Sequence, residues 1–92
     1  MGMTARAVDV TISGRVQGVF FRATCEQEAR RLSVAGWVSN APDGSVVGHF
    51  EGDADAVAAL IDWCHDGPRR ATVDQVEVRE SDIQHCAGFE VR

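Results

Sequence analysis

Apolar and polar residues alternate near the start of the chain. Val8, Val10 and Ile12 interleave with Asp9, Thr11 and Ser13, a period of two that predicts a half-buried strand. The period then changes. Phe21, Cys25, Glu28/Ala29 and Leu32 fall near one helical face, with Glu26, Gln27, Arg30 and Arg31 mostly off it, and this predicts a helix over residues 21–32. Glu26 and Arg30, four apart in the favourable order, support it. Gly36 punctuates the next turn, and residues 37–40 read as a short strand. Ala41-Pro42-Asp43-Gly44 is a turn in which Pro presets its backbone angle and Asp and Gly tolerate the rest. Residues 46–50 return from it, so 37–50 form a hairpin. Gly52-Asp53 stops that strand, with Asp53 as the expected N-cap of a second helix. Val57, Leu60, Ile61 and Cys64 carry the cleanest helical stripe, and Gly67-Pro68 ends it. Val73, Val76 and Val78 mark a fourth strand, in which the one-residue slip after Val73 leaves a bulge and a plain strand start both open. Residues 87–91 add a short fifth strand.

The order is therefore β-α-β-β-α-β with a short terminal strand. Two helices with one apolar stripe each need one sheet face to cover. The expected class is α+β: a ferredoxin-like split βαβ sandwich with two helices on one face of an antiparallel sheet. Residues 1–92 make a single domain at this length. The fold hosts many functions and settles none.

The chemistry concentrates between the first strand and the first helix, in Gly14-Arg15-Val16-Gln17-Gly18-Val19-Phe20-Phe21-Arg22. A helix start has backbone N–H groups without partners and the positive end of the helix dipole, and both suit an anion. A cation in the first turn is disfavoured there by roughly 0.3–1 kcal/mol, which a bound anion would offset. The stretch reads either as a phosphate or carboxylate cradle with a guanidinium wall or as a glycine-containing connection that binds nothing. It is neither a P-loop, since no Gly-Lys-Ser/Thr follows, nor a dinucleotide fingerprint.

Charge and cysteine usage narrow the classes. A formal net charge of −5 argues against a nucleic-acid partner. No apolar run approaches a membrane span, and the N-terminus lacks the apolar core of a signal peptide. Met1-Gly2 resembles a myristoylation start, but Arg6 stands where Ser or Thr is needed. Cys25, Cys64 and Cys86 show neither paired nor metal-ligand spacing, so reduced thiols in a cytoplasmic protein are expected.

Two stretches resemble the signatures of the acylphosphatases. The first is Ile12-x-Gly14-x-Val16-Gln17-Gly18-Val19-Phe20-Phe21-Arg22; the second is Gly36-Trp37-Val38-x-Asn40, then Gly44-x-Val46 and Gly52. The resemblance implies metal-free, cofactor-free hydrolysis of the carboxyl–phosphate bond of a small acyl phosphate. It puts the phosphate-binding arginine on Arg22, the water-orienting asparagine on Asn40, and the phosphate cradle on Arg15, Val16, Gln17, Gly18 and Val19. One departure is Ser39, where the family usually carries a basic residue. Ser39 should alternate away from Asn40. A monomer without nucleic-acid or membrane partners is expected. The alternative is the same cradle used only for binding, within a larger machine.

Other residues carry plainer expectations. Phe20, Phe21 and Trp37 are expected in the core, and Cys25 and Cys64 as buried inert thiols. His49 is expected to be an exposed strand residue, His65 to lie near a helix C-terminus, and the acidic residues to be solvated.

Overall fold

The alternating stretch becomes the longest strand, β1 (Ala5–Arg15), and the sheet is built on both sides of it. The structure is a computed structural model that describes residues 4–92, so the myristoylation question at Met1-Gly2 lies outside the described residues. After β1 come α1 (Phe21–Leu32), β2 (Ala35–Asn40), β3 (Val46–Asp53), α2 (Ala54–Asp66), β4 (Thr72–Glu80) and β5 (Phe89–Val91). The strand order across the sheet is β4-β1-β3-β2-β5. Neighbours pair antiparallel except β2 with β5, which run parallel, so the sheet is mixed. Both helices cover one face, as the expected ferredoxin-like class requires. Among the described residues no helix is long and apolar enough to cross a membrane.

The period-two pattern sorts the strands. Val8, Val10 and Ile12 of β1, Val38 of β2, and Val46 and Phe50 of β3 face the helices and join Phe21, Cys25, Val57, Leu60 and Cys64 in one core. Phe21 packs on Trp63 with ring centroids 5.2 Å apart, and Phe50 on Phe89 at 6.0 Å. Cys25 and Cys64 are fully buried free thiols. A hydrogen bond with Cys64 and burial push the Cys25 thiol above its ordinary range, so Cys25 is not poised as a nucleophile. Asp53 precedes α2, but its side chain makes no capping hydrogen bond; the N–H of Ala54 bonds to the carbonyl of Thr4 instead.

The slip after Val73 is a β-bulge. Ser13 faces Gln75 while Gly14 faces Val73, leaving Asp74 as the extra residue. Gly14 is required there: at φ +128 a Cβ would lie 2.2 Å from the Thr72 carbonyl oxygen. The extra residue belongs to β4 and lies opposite the end of β1, where the chain leaves for α1.

The outer face of the sheet corrects two expectations. His49 is fully buried rather than exposed, and Glu51, at 5% exposure, is not solvated. His49 Nδ1 lies 2.8 Å from Asp9 Oδ1, and His49 Nε2 lies 2.7 Å from Glu51 Oε1. What covers them is the connection from β4 to β5. The amides of Gln84 and Cys86 donate to the Glu51 carboxylate at 2.8 and 3.1 Å. Residues 81–88 thus carry the chain from one sheet edge to the other, fastened midway to Glu51. Trp37 also departs from expectation: it is half-buried on this face, with the Arg92 guanidinium 4.7 Å above its ring.

Burial alone would raise the Glu51 carboxyl. The Gln84 amide, His49, and the Cys86 amide and thiol overcome that penalty and hold it at about 2. Its folded pKa therefore lies below the unfolded value, so its stabilising effect is present above about pH 4.5 and is lost as pH falls toward 2. Glu51→Gln should lower stability by about 3 kcal/mol at neutral pH, the scale of breaking a buried charge pair. Denaturant unfolding across this range should show the gap to wild type closing as the pH drops.

Candidate active site

β1 and α1 are joined by residues 16–20, and this connection, the end of β2 and the end of β5 meet around one pocket. The pocket encloses about 270 Å³ and is lined by Val16, Gly18, Phe20, Phe21, Arg22, Ala23, Asn40 and Val91. Four of the expected site residues therefore converge: Arg22, Asn40, Val16 and Gly18. Arg15, Gln17 and Val19 do not line it. Arg15 is exposed and closes the β1 pairing opposite Thr72, while Val19 is buried in the core. Ser39 is likewise not among the lining residues.

Backbone conformation makes the pocket. Gly18 has φ +74, and nothing lies within 4 Å of where its Cβ would be. The N-cap of α1 is Phe20, held at φ 65 and ψ 23. A left-handed backbone at a bulky aromatic costs of order 1–3 kcal/mol and is a feature of functional sites. The turn is fastened by Thr24, whose N–H and hydroxyl both donate to the Phe20 carbonyl, at 3.1 and 2.8 Å. Phe20 is 71% exposed, which corrects its expected place in the core; Phe21, one residue on, turns inward and is buried.

The first turn of α1 has no side-chain cap and no acidic residue. Phe21, Arg22 and Ala23 of that turn all line the pocket. Arg22 Nη1 donates to the main-chain oxygen of Arg92 at 2.8 Å. Asn40 lines the pocket as the last residue of β2, where it pairs with Val46.

The Gln17 side chain braces the connection from behind. Its Nε2 donates to the carbonyls of Ala41 and Ser45, at 2.8 and 2.9 Å. It thus ties the connection before α1 to the turn after Asn40, so the two walls of the pocket hold a fixed spacing. Asp43 firms up that turn by accepting from the amide and hydroxyl of Ser45, at 2.9 and 2.6 Å, and these bonds hold its carboxyl below the usual range.

Phe20, Ala23 and Val91 complete the pocket and were not singled out from sequence for it. Val91 arrives only because β5 pairs with β2, which no local pattern announces. Among the described residues one group could hold a metal: His49, Glu51 and Cys86 bring ligand atoms within 4.8 Å of one another. They do not line the pocket, and they already pair with each other by hydrogen bonds.

Residues 8–91 match the acylphosphatase family model. The chain belongs to the acylphosphatase family. An acylphosphatase of a Nocardioides species is 60% identical over 86 residues, covering 94% of this chain and 87% of that protein. The structure superposes on an acylphosphatase from Coxiella burnetii with a TM-score of 0.92 at 36% identity, covering 96% of this chain and 93% of the other. It matches the acylphosphatase from Bacillus subtilis with the same TM-score at 30% identity, covering 97% and 99%. Family membership accounts for the two sequence signatures, and the pocket brings the two signatures together in space.

The Gln17 tie in this acylphosphatase fold is open to a direct test. Gln17→Ala removes one of two donors to each carbonyl, since Ala41 O keeps the Gly44 amide and Ser45 O keeps the Ala41 amide, and should cost about 1 kcal/mol in urea unfolding. Turnover should fall further than the stability loss explains, because the spacing of the pocket walls is released. A Gln17→Ala protein with wild-type turnover would show that the tie is not needed.

Proposed function

We propose that this acylphosphatase family member hydrolyses the carboxyl–phosphate bond of small acyl phosphates, releasing a carboxylate and inorganic phosphate, with Arg22 and Asn40 as its catalytic residues. The observation that supports this assignment is the convergence of Arg22, Asn40 and Gly18 on one pocket at the open start of α1. The Arg22 guanidinium and the first-turn N–H groups supply a fork and a dipole for phosphate oxygens. Arg15, Gln17 and Val19 act by shaping the connection rather than by side-chain contact with phosphate; their backbone carries whatever part they have in the cradle.

An acyl phosphate already has a good leaving group, so catalysis is chiefly positioning and charge stabilisation. A water held by the Asn40 carboxamide attacks phosphorus opposite the leaving carboxylate. The amide can accept a hydrogen bond from the water and donate one to a phosphate oxygen, but it is no strong base. The substrate's own phosphate takes the proton. The lining offers no carboxylate, imidazole or thiol, a donor set that suits a metal-free mechanism. The free cysteines fit a reducing compartment, and one complete pocket per chain fits a monomer.

Asn40 separates an enzyme from a mere anion binder. Asn40→Ala should lose turnover by on the order of 10²-fold, about 2.7 kcal/mol of transition-state stabilisation, while phosphate still binds. Arg22→Lys and Arg22→Ala should both lose phosphate binding and turnover, since an ammonium cannot copy the planar fork. Release of phosphate from acetyl phosphate, paired with phosphate calorimetry and run with a chelator, reads all of this. Intact turnover in Asn40→Ala would remove its water-orienting role. Activity lost on chelation and restored by one metal would remove the metal-free mechanism.

A further inference from the structure

The pocket lining mixes two kinds of side chain. Arg22 and Asn40 are polar; Phe20, Val91, Val16 and Ala23 are apolar. The phosphate chemistry proposed above uses none of the apolar side chains. In an acyl phosphate whose phosphorus is held at Arg22, the organic group projects from the phosphate on the side away from the attacking water, and something must flank it there.

Phe20 is built for contact and is not used by the fold. Its ring is 71% exposed while Phe21 fills the core. Its backbone is left-handed, a conformation that glycine adopts without strain, so the aromatic side chain is kept at a position that disfavours it. The two bonds from Thr24 to its carbonyl fix the backbone that carries the ring. An exposed aromatic on a fixed backbone at a pocket edge presents apolar area with little left to order on binding. Val91, itself 41% exposed, also lines the pocket.

We infer that Phe20, backed by Val91, is the acyl-group contact of this enzyme and sets a preference for acyl phosphates with an aromatic or extended apolar acyl group over small ones. This rests on the acyl phosphate hydrolysis proposed above. The ring gains its contacts only when the substrate carries apolar area to cover, so its effect falls on substrate binding.

The test compares kcat/KM for benzoyl phosphate and acetyl phosphate in the wild type, Phe20→Gly and Phe20→Leu. Glycine suits the left-handed backbone, and retained inhibition by inorganic phosphate certifies the folded pocket. The benzoyl-to-acetyl ratio should fall about tenfold in Phe20→Gly, mainly through KM, the scale of losing apolar contact in a pocket. Phe20→Leu, which keeps apolar area at the same place, should fall between the two. An unchanged ratio in both variants, with phosphate inhibition intact, overturns the role of Phe20 and leaves the hydrolytic function standing. A wild type that hydrolyses neither substrate overturns both.

Discussion

A guanidinium in the first turn of a helix is the constraint on which the site depends. The dipole and open N–H groups of α1 repel a cation, yet Arg22 stands there with no acidic residue in that turn to offset it. Only an oxygen-rich partner relieves the arrangement. The main-chain oxygen of Arg92 supplies one such contact; a phosphate would supply several. The rest of the local structure keeps this frustrated geometry from relaxing. Gly18 and Phe20 take left-handed backbones, and Gln17 clamps the connection to the turn after Asn40. The loss at the helix start is small beside the stability of the core that surrounds it.

The outer face links distant parts of the chain to this site. Glu51 and His49 fasten residues 81–88 across the sheet, and the same segment leads into β5. β5 then delivers Val91 to the pocket and Arg92 to Arg22. A buried carboxylate bonded to two backbone amides and an imidazole is expensive to desolvate, and it is retained where it fixes a path that apolar packing alone would leave loose.

Local signals were read well because they are local. The change from period two to helical spacing located α1 at its observed bounds, and the alternating Val8, Val10 and Ile12 of β1 told which face is buried. Arg22 and Asn40 were legible because each lies inside a motif with fixed neighbours. The failures are all non-local. His49 sits on the polar face of its strand, where a polar residue is expected to be solvated, and no pattern reveals that residues 81–88 cover that face. Glu51 was misread for the same reason. Phe20 was read as core from its residue type, whereas its left-handed backbone at the N-cap turns it outward and leaves burial to Phe21. Val91 reaches the pocket through parallel pairing with β2, a contact set by topology rather than by sequence period.

If the pocket holds the phosphorus and Asn40 aims water at it, the acyl group leaves as the carboxylate. Hydrolysis of an acyl phosphate in water enriched in a heavy oxygen isotope tests this most directly, by mass analysis of both products. Attack on phosphorus places the label in inorganic phosphate and none in the carboxylate. Label in the carboxylate instead would mean attack on the carbonyl carbon, and would contradict the assignment of Arg22, Asn40 and the start of α1 as a phosphate-centred site.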